Sequence, residues 1–252
     1  MNYFVEPNSI VKKIWGKSDT VLFIFAGAAA EFALSKAVDW LYFTGRLPTD
    51  PLGRLFSTVS YARRIIFAEN ERALYTIDSI YQIHKVVEKN RARAIPDWAY
   101  RDVLYMLIHY SIASFEVLER KLSIKEKEEV FDVFYRFGCR MKLEGLATDY
   151  SGWLLQRKND MENDLEKSSY TIDLFKQYKK HLGGVRYFIL IEGQKLIVPE
   201  RVRQLLHFNK ISLLSFVLPL YKISRYLKLD DFIKKLILPK KYEKEIYGLN
   251  IN

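Results

Sequence analysis

Apolar positions recur at helical spacing through nearly the whole chain. Ala73, Ile77, Ile80, His84 and Val87 advance by four, three, four and three residues, a single stripe down one helix face that predicts His84 to point inward. Asp50 before Pro51 is a helix start, an N-cap acid with proline at the first helical position. Arg54, Thr58 and Tyr61 then share a face of the helix so opened. Pro96 and Asp97 begin another that runs to about Arg120, with Leu104, Ile108, Phe115 and Leu118 as its core stripe. Ser123 with Glu126 reads as a capping box that opens the next, ending near Gly145. Residues 20–42 are predicted as one helix, interrupted only mildly by Gly27. In 171–198 the Gly183-Gly184 pair can split the pattern and the β-branched run after it resembles a strand, but Pro199 and the flanking periodicity predict a second helix. The fold class expected is all-α: one multi-helix domain over 1–208, with 209–252 a basic, apolar extension packed on the domain or on a membrane surface.

A chain of 252 residues can bury one large core. Hydrophobic residues at 49% and charged residues at 28% exclude disorder. Aromatic residues reach 15%, enough to line a cofactor or lipid-like pocket, although plain core is the usual use. Cys139 is the single cysteine, and there is no CxxC or CxxCH. Cysteine-held zinc and covalently attached haem are therefore excluded, and a reducing, cytoplasmic setting is expected. Residues 1–17 lack the apolar core of a secretory signal. The apolar runs 20–30 and 211–221 are about half of the ~20 residues a spanning helix needs.

The formal charge of +10 points to an anionic partner, and its placement narrows the choice. Nine Lys or Arg face three acids between Lys210 and Lys244. No nucleic-acid recognition motif accompanies them. Asp230 and Pro239 bound a short helix with Phe232, Ile233, Leu236 and Ile237 on one side and Lys234-Lys235 towards the other, as a peripheral contact with an anionic membrane requires.

No Gly-rich phosphate loop, HExxH or nucleophile elbow is present. Four histidines remain. A neutral imidazole on an inward helix face is a suitable axial ligand for haem iron. A lone histidine on such a stripe is more often a satisfied core residue, and the same two readings apply to His109, between Tyr105 and Ile112. Arg54 and Thr58 alone would be a solvated charge and a back-bonded hydroxyl.

Residues 27–84 carry Asp50-Pro51-Leu52-Gly53-Arg54-Leu55-Phe56-Ser57-Thr58 and, 26 residues on, His84-Lys85-Val86-Val87. This run resembles the rubber-oxygenase catalytic-domain family of latex-clearing-protein and MpaB-type oxygenases. The likeness continues loosely through His109 to about Leu206. It implies a globin-like core that holds haem b non-covalently and oxidises an apolar, isoprenoid- or lipid-like substrate with dioxygen. His84 matches the iron ligand, Arg54 and Thr58 match a catalytic polar pair near the haem, and His109 is a further cofactor-side candidate. Ser57 stands where the rubber oxygenase has a distal lysine, so no lysine-capped haem is implied. Lys89 replaces a glycine, and Leu34, Ala37 and Val38 occupy the place of a glutamine and a His-Pro pair. The alternative is a non-enzymatic helical module of the same fold that binds a hydrophobic ligand.

Overall fold

The computed structural model describes residues 2–45 and 49–226, with backbone alone at 52, 55, 56, 225 and 226. Among these residues the chain is a single all-α domain of eleven helices. They are α1 (Ile10–Trp15), α2 (Ser18–Phe32), α3 (Asp39–Phe43), α4 (Pro51–Ile66), α5 (Asn70–Arg91), α6 (Asp97–Leu118), α7 (Ile124–Arg140), α8 (Tyr150–Asp164), α9 (Ser169–Ile197), α10 (Glu200–Leu206) and α11 (Leu214–Tyr226).

The centre of the molecule is the packing of α2 against α6, with α9 and α8 completing the core around them. Gly27 makes that approach feasible. A Cβ at Gly27 would lie 2.2 Å from two ring atoms of Tyr110 and 2.8 Å from Ile197, so any larger residue would drive the helices apart. Tyr110 passes over this notch, and its hydroxyl donates to Glu31 Oε2 at 2.8 Å. Glu31 sits one turn beyond Gly27 on the same face of α2. Arg157 of α8 donates to the same carboxylate oxygen at 2.8 Å. All three side chains are almost fully buried.

Local signals set most helix ends. Asp50 caps α4 by accepting from Gly53 N–H at 3.1 Å, with Pro51 in the first turn. Ser123 and Glu126 form the expected capping box of α7, and Leu104, Ile108, Phe115 and Leu118 are all buried. That helix stops at Arg140, short of Gly145, where the chain turns through a left-handed Lys142 (φ 58°) and Leu143 N–H donates to the Gly138 carbonyl.

The predicted helix over 20–42 is corrected by the structure. α2 ends at Phe32, and the chain pairs instead with the segment after α8. Lys36 N–H donates to the Asp164 carbonyl at 2.9 Å and Glu166 N–H to the Leu34 carbonyl at 2.8 Å. Ser35 Oγ captures Ala37 N–H at 3.2 Å, which satisfies the amide outside a helix. α9 is helical on both sides of Gly183, whose φ of 74° and ψ of 173° bend it in open space with no neighbouring atom in the way. Beyond α10 the chain docks on α9: Ser212 Oγ donates to the Glu192 carbonyl and Leu213 N–H to the Glu192 carboxylate. Tyr221 then reaches α2, donating to Asp19 Oδ2 at 3.2 Å. The helix predicted over 230–239 lies outside the described residues.

Asp102 of α6 is buried, and its Oδ2 has no hydrogen-bond partner among the described residues. Burial first, then the nearby Asp164, Asp160 and Glu31 carboxylates, raise its pKa to about 8. Between the unfolded value near 4 and that folded value, the unfolded chain releases a proton that the folded chain keeps, so stability falls as pH rises through this window. Asp102→Asn is expected to flatten that decline and to raise Tm at pH 8.5 by about 3 °C or more. Thermal unfolding at pH 5 and pH 8.5 checks this, and an equal effect of the substitution at both would refute it.

Candidate functional site

α4 and α5 pack together as an antiparallel pair joined at residues 67–69, which brings the Arg54 end of α4 beside the His84 end of α5. On α4 the guanidinium of Arg54 is held against its own helix. Its Nη1 donates to Ser57 Oγ at 3.3 Å and Thr58 Oγ1 at 3.4 Å. Those two hydroxyls in turn donate to the Arg54 carbonyl at 2.7 and 3.2 Å. The i, i+3 and i, i+4 spacing therefore builds a small polar cradle with a cation at its edge.

His84 is half-buried on α5. Its Nδ1 is buried with no hydrogen-bond partner among the described residues. Burial first, and then the positive charge of Arg54, press its pKa down to about 4, against the pull of Glu88. At neutral pH the ring is uncharged, so a nitrogen lone pair is free to bind an electrophile. The edge of the ring meets Tyr100 of α6 with centroids 5.1 Å apart and planes at 73°.

Glu88 fixes that contact. Its Oε1 accepts from Ile95 N–H at 3.0 Å and from the Tyr100 hydroxyl at 3.1 Å, and its Oε2 accepts from Lys85 Nζ at 2.7 Å. Burial works against the carboxylate, but these donors outweigh it and hold the carboxyl below its ordinary range. The clamp spans the left-handed Ala92 (φ 50°) that ends α5 and the turn that starts α6. Glu88 lies one turn from His84 and was readable as its neighbour. Tyr100 was not, because its arrival depends on the turn between the helices.

The structure gathers Arg54, Thr58 and His84 but not His109. His109 follows Tyr100 by nine residues of α6, which is about 13 Å along the axis and half a turn around it. There its Nε2 faces the Ile197 carbonyl at 3.4 Å and its ring edge meets Tyr110. Burial, reinforced by Arg157, lowers its pKa to about 3. His109 belongs to the α2–α6–α8 core, and His207 is the left-handed cap of α10. Among the described residues, no cluster of three or more His, Cys, Asp or Glu side chains could hold a metal ion.

The sequence model of one protein family, described as ER-bound oxygenase mpaB/B′/Rubber oxygenase, catalytic domain, matches residues 14–151. The match takes in α2 to α7 and with them Arg54, Thr58, His84 and His109. No curated protein matches the chain.

Arg54→Met removes a cation while keeping most of the side-chain volume. The His84 pKa is expected to rise towards, without reaching, the ordinary value of 6.5, because burial remains. Histidine-ring NMR titration reads the shift, and an unchanged value would show that Arg54 does not act on the imidazole.

Proposed function

Because the chain belongs to the catalytic-domain family of the mpaB and rubber oxygenases, we propose that it is a haem-b-dependent oxygenase acting on an apolar, isoprenoid- or lipid-like substrate with dioxygen. One observation carries the reading: a neutral His84, with a buried ring nitrogen that has no partner among the described residues, lies beside the cation of Arg54. These residues fit a non-covalent haem. His84 would hold the iron, and a single histidine suffices because the porphyrin itself supplies further nitrogen donors. When bound, haem b supplies the dioxygen chemistry that no side chain can perform.

The rest follows from the chain's own groups. Tyr100, held by Glu88, limits rotation of the His84 ring, as a supporting shell does for a ligating imidazole. Arg54 provides a fixed positive charge for an anionic group in the site, a haem propionate or a polar oxygen of the substrate. Thr58 offers a hydroxyl in the same cradle and helps to hold the Arg54 fork in place. His109 has a core role in this reading.

The substrate class suggests how the protein is placed. On α11, Phe216, Val217, Leu220 and Ile223 share one face and are each half or more exposed, with Ile211 and Leu213 exposed just before them. Among the described residues no helix is long and apolar enough to cross a membrane. An apolar face in a segment that carries the chain's excess of lysine and arginine fits an anionic lipid surface, on which each basic residue contributes on the order of 1 kcal/mol. Residues 209–252 would thus be the part of the protein that meets the lipid.

Freshly purified protein is expected to show a Soret band. His84→Ala should abolish stoichiometric haem binding with helical circular dichroism intact. Arg54→Ala and Thr58→Ala should keep the band and lose about tenfold or more of oxygen-dependent turnover. An unchanged spectrum in His84→Ala would overturn the ligand assignment, and a colourless protein that refuses added haem would favour the ligand-binding module.

The surface reading is tested separately by sedimentation with vesicles. Wild type should pellet with anionic and not with neutral vesicles, and Phe216→Glu with Leu220→Glu should release it. Equal recovery with both lipid compositions would refute it.

A further inference from the structure

At the elbow where α4 gives way to α5, on the side of these helices away from His84, the surface opens into a cleft of about 600 Å³. Arg63, Arg64 and Arg72 line it, with Phe67 and Tyr75 as aromatic walls and Glu71 as the single acid. We propose that this cleft is a binding site for a phosphate monoester group, carried by a free small molecule or by a lipid head.

Eight arginines elsewhere among the described residues are paired with carboxylates. Among the described residues none of the three in the cleft has a carboxylate partner, Glu71 included. Arg63 is the telling member. Its Nη1 is buried and has no hydrogen-bond partner among the described residues, while its guanidinium lies over the Phe67 ring at 5.4 Å. Burial lowers its pKa, the mark of a cation partly withdrawn from water without an anion beside it. Arginines in the last turn of α4 also suit the helix dipole. That explains the choice of a basic residue at 63 and 64, but not a buried donor left without an acceptor.

The charge sum selects the ligand. Three guanidinium groups against one carboxylate leave two positive charges, which match a phosphate dianion, and arginine's planar fork suits phosphate oxygens. The flanking aromatic rings give an organic body something to lie against. This cleft is separate from the candidate oxygenase site. Tyr75 precedes His84 by nine residues, about 13 Å along α5 and on the opposite face, so the two sites share no lining residue.

Calorimetric titration with inorganic phosphate and with phenyl phosphate, against chloride at equal ionic strength, tests the free-ligand source. Phosphatidic acid vesicles, with phosphatidylglycerol as control, test the lipid source in a Phe216→Glu, Leu220→Glu background. Saturable binding in either arm is expected, at least tenfold weaker in Arg63→Gln and in Arg72→Gln, and unchanged in His84→Ala. The Arg72→Gln variant alters an exposed side chain, so its helical circular dichroism and Tm should match the wild type and keep the result interpretable if Arg63→Gln misfolds. Absence of saturable binding in both arms, or equal affinity in the arginine variants, overturns the proposal.

Discussion

The fold depends on a buried carboxylate, Glu31, and on the two donors that make its burial tolerable. Tyr110 and Arg157 reach it from different helices, so α2, α6 and α8 are registered at one point. Removing Arg157 would leave a charge in the interior that its surroundings could not offset, and removing Tyr110 would leave the carboxylate short of a hydrogen bond. The arrangement is possible only because Gly27, one turn away, lets the Tyr110 ring lie flush against α2. A backbone vacancy and an ionic contact therefore act as one device: the glycine sets how closely the helices pack, and the charge sets their axial register.

From that core the candidate site is hung at a distance. α6 carries Tyr110 into the centre and, nearer its start, Tyr100 against His84, so a displacement of α6 would be felt at both. The electrostatics at His84 favour the neutral ring on balance. Burial and the Arg54 charge both disfavour the imidazolium, and the Glu88 carboxylate that could stabilise it is occupied by Lys85, Ile95 and Tyr100. A ring kept neutral by two independent influences is robust to the loss of either one.

Where structure was written in neighbouring residues, the sequence was a good guide. The Asp50-Pro51 start, the Ser123 and Glu126 box, the buried stripe of α6 and the shared face of Arg54 and Thr58 all rest on contacts within one helical turn. The end of α2 was illegible because its amide and carbonyl partners come from residues 164–166, more than a hundred positions away. The contrast between His84 and His109 was equally hidden: both lie on amphipathic helices, and only the assembled fold shows that one keeps a ring nitrogen without a partner among the described residues while the other faces a carbonyl at a helix end. The arginine cleft was missed for a related reason, since Arg63 and Arg72 belong to different helices and meet through the elbow between them.

Gly183 gives α9 a mechanical character. Its backbone angles break the rod into two, and a Cβ at that position would meet no atom within 4 Å. The half before the bend carries Leu174 and Tyr178 into the core beside α2, and the half after it carries Ile197 into the core and Glu192, the anchor of α11. A single continuous segment thus serves two apolar clusters, with Leu174 and Tyr178 in one and Ile197 in the other. The bend works as a mitre joint: one helix turns a corner, so that each half meets the core at its own angle without a loop between them.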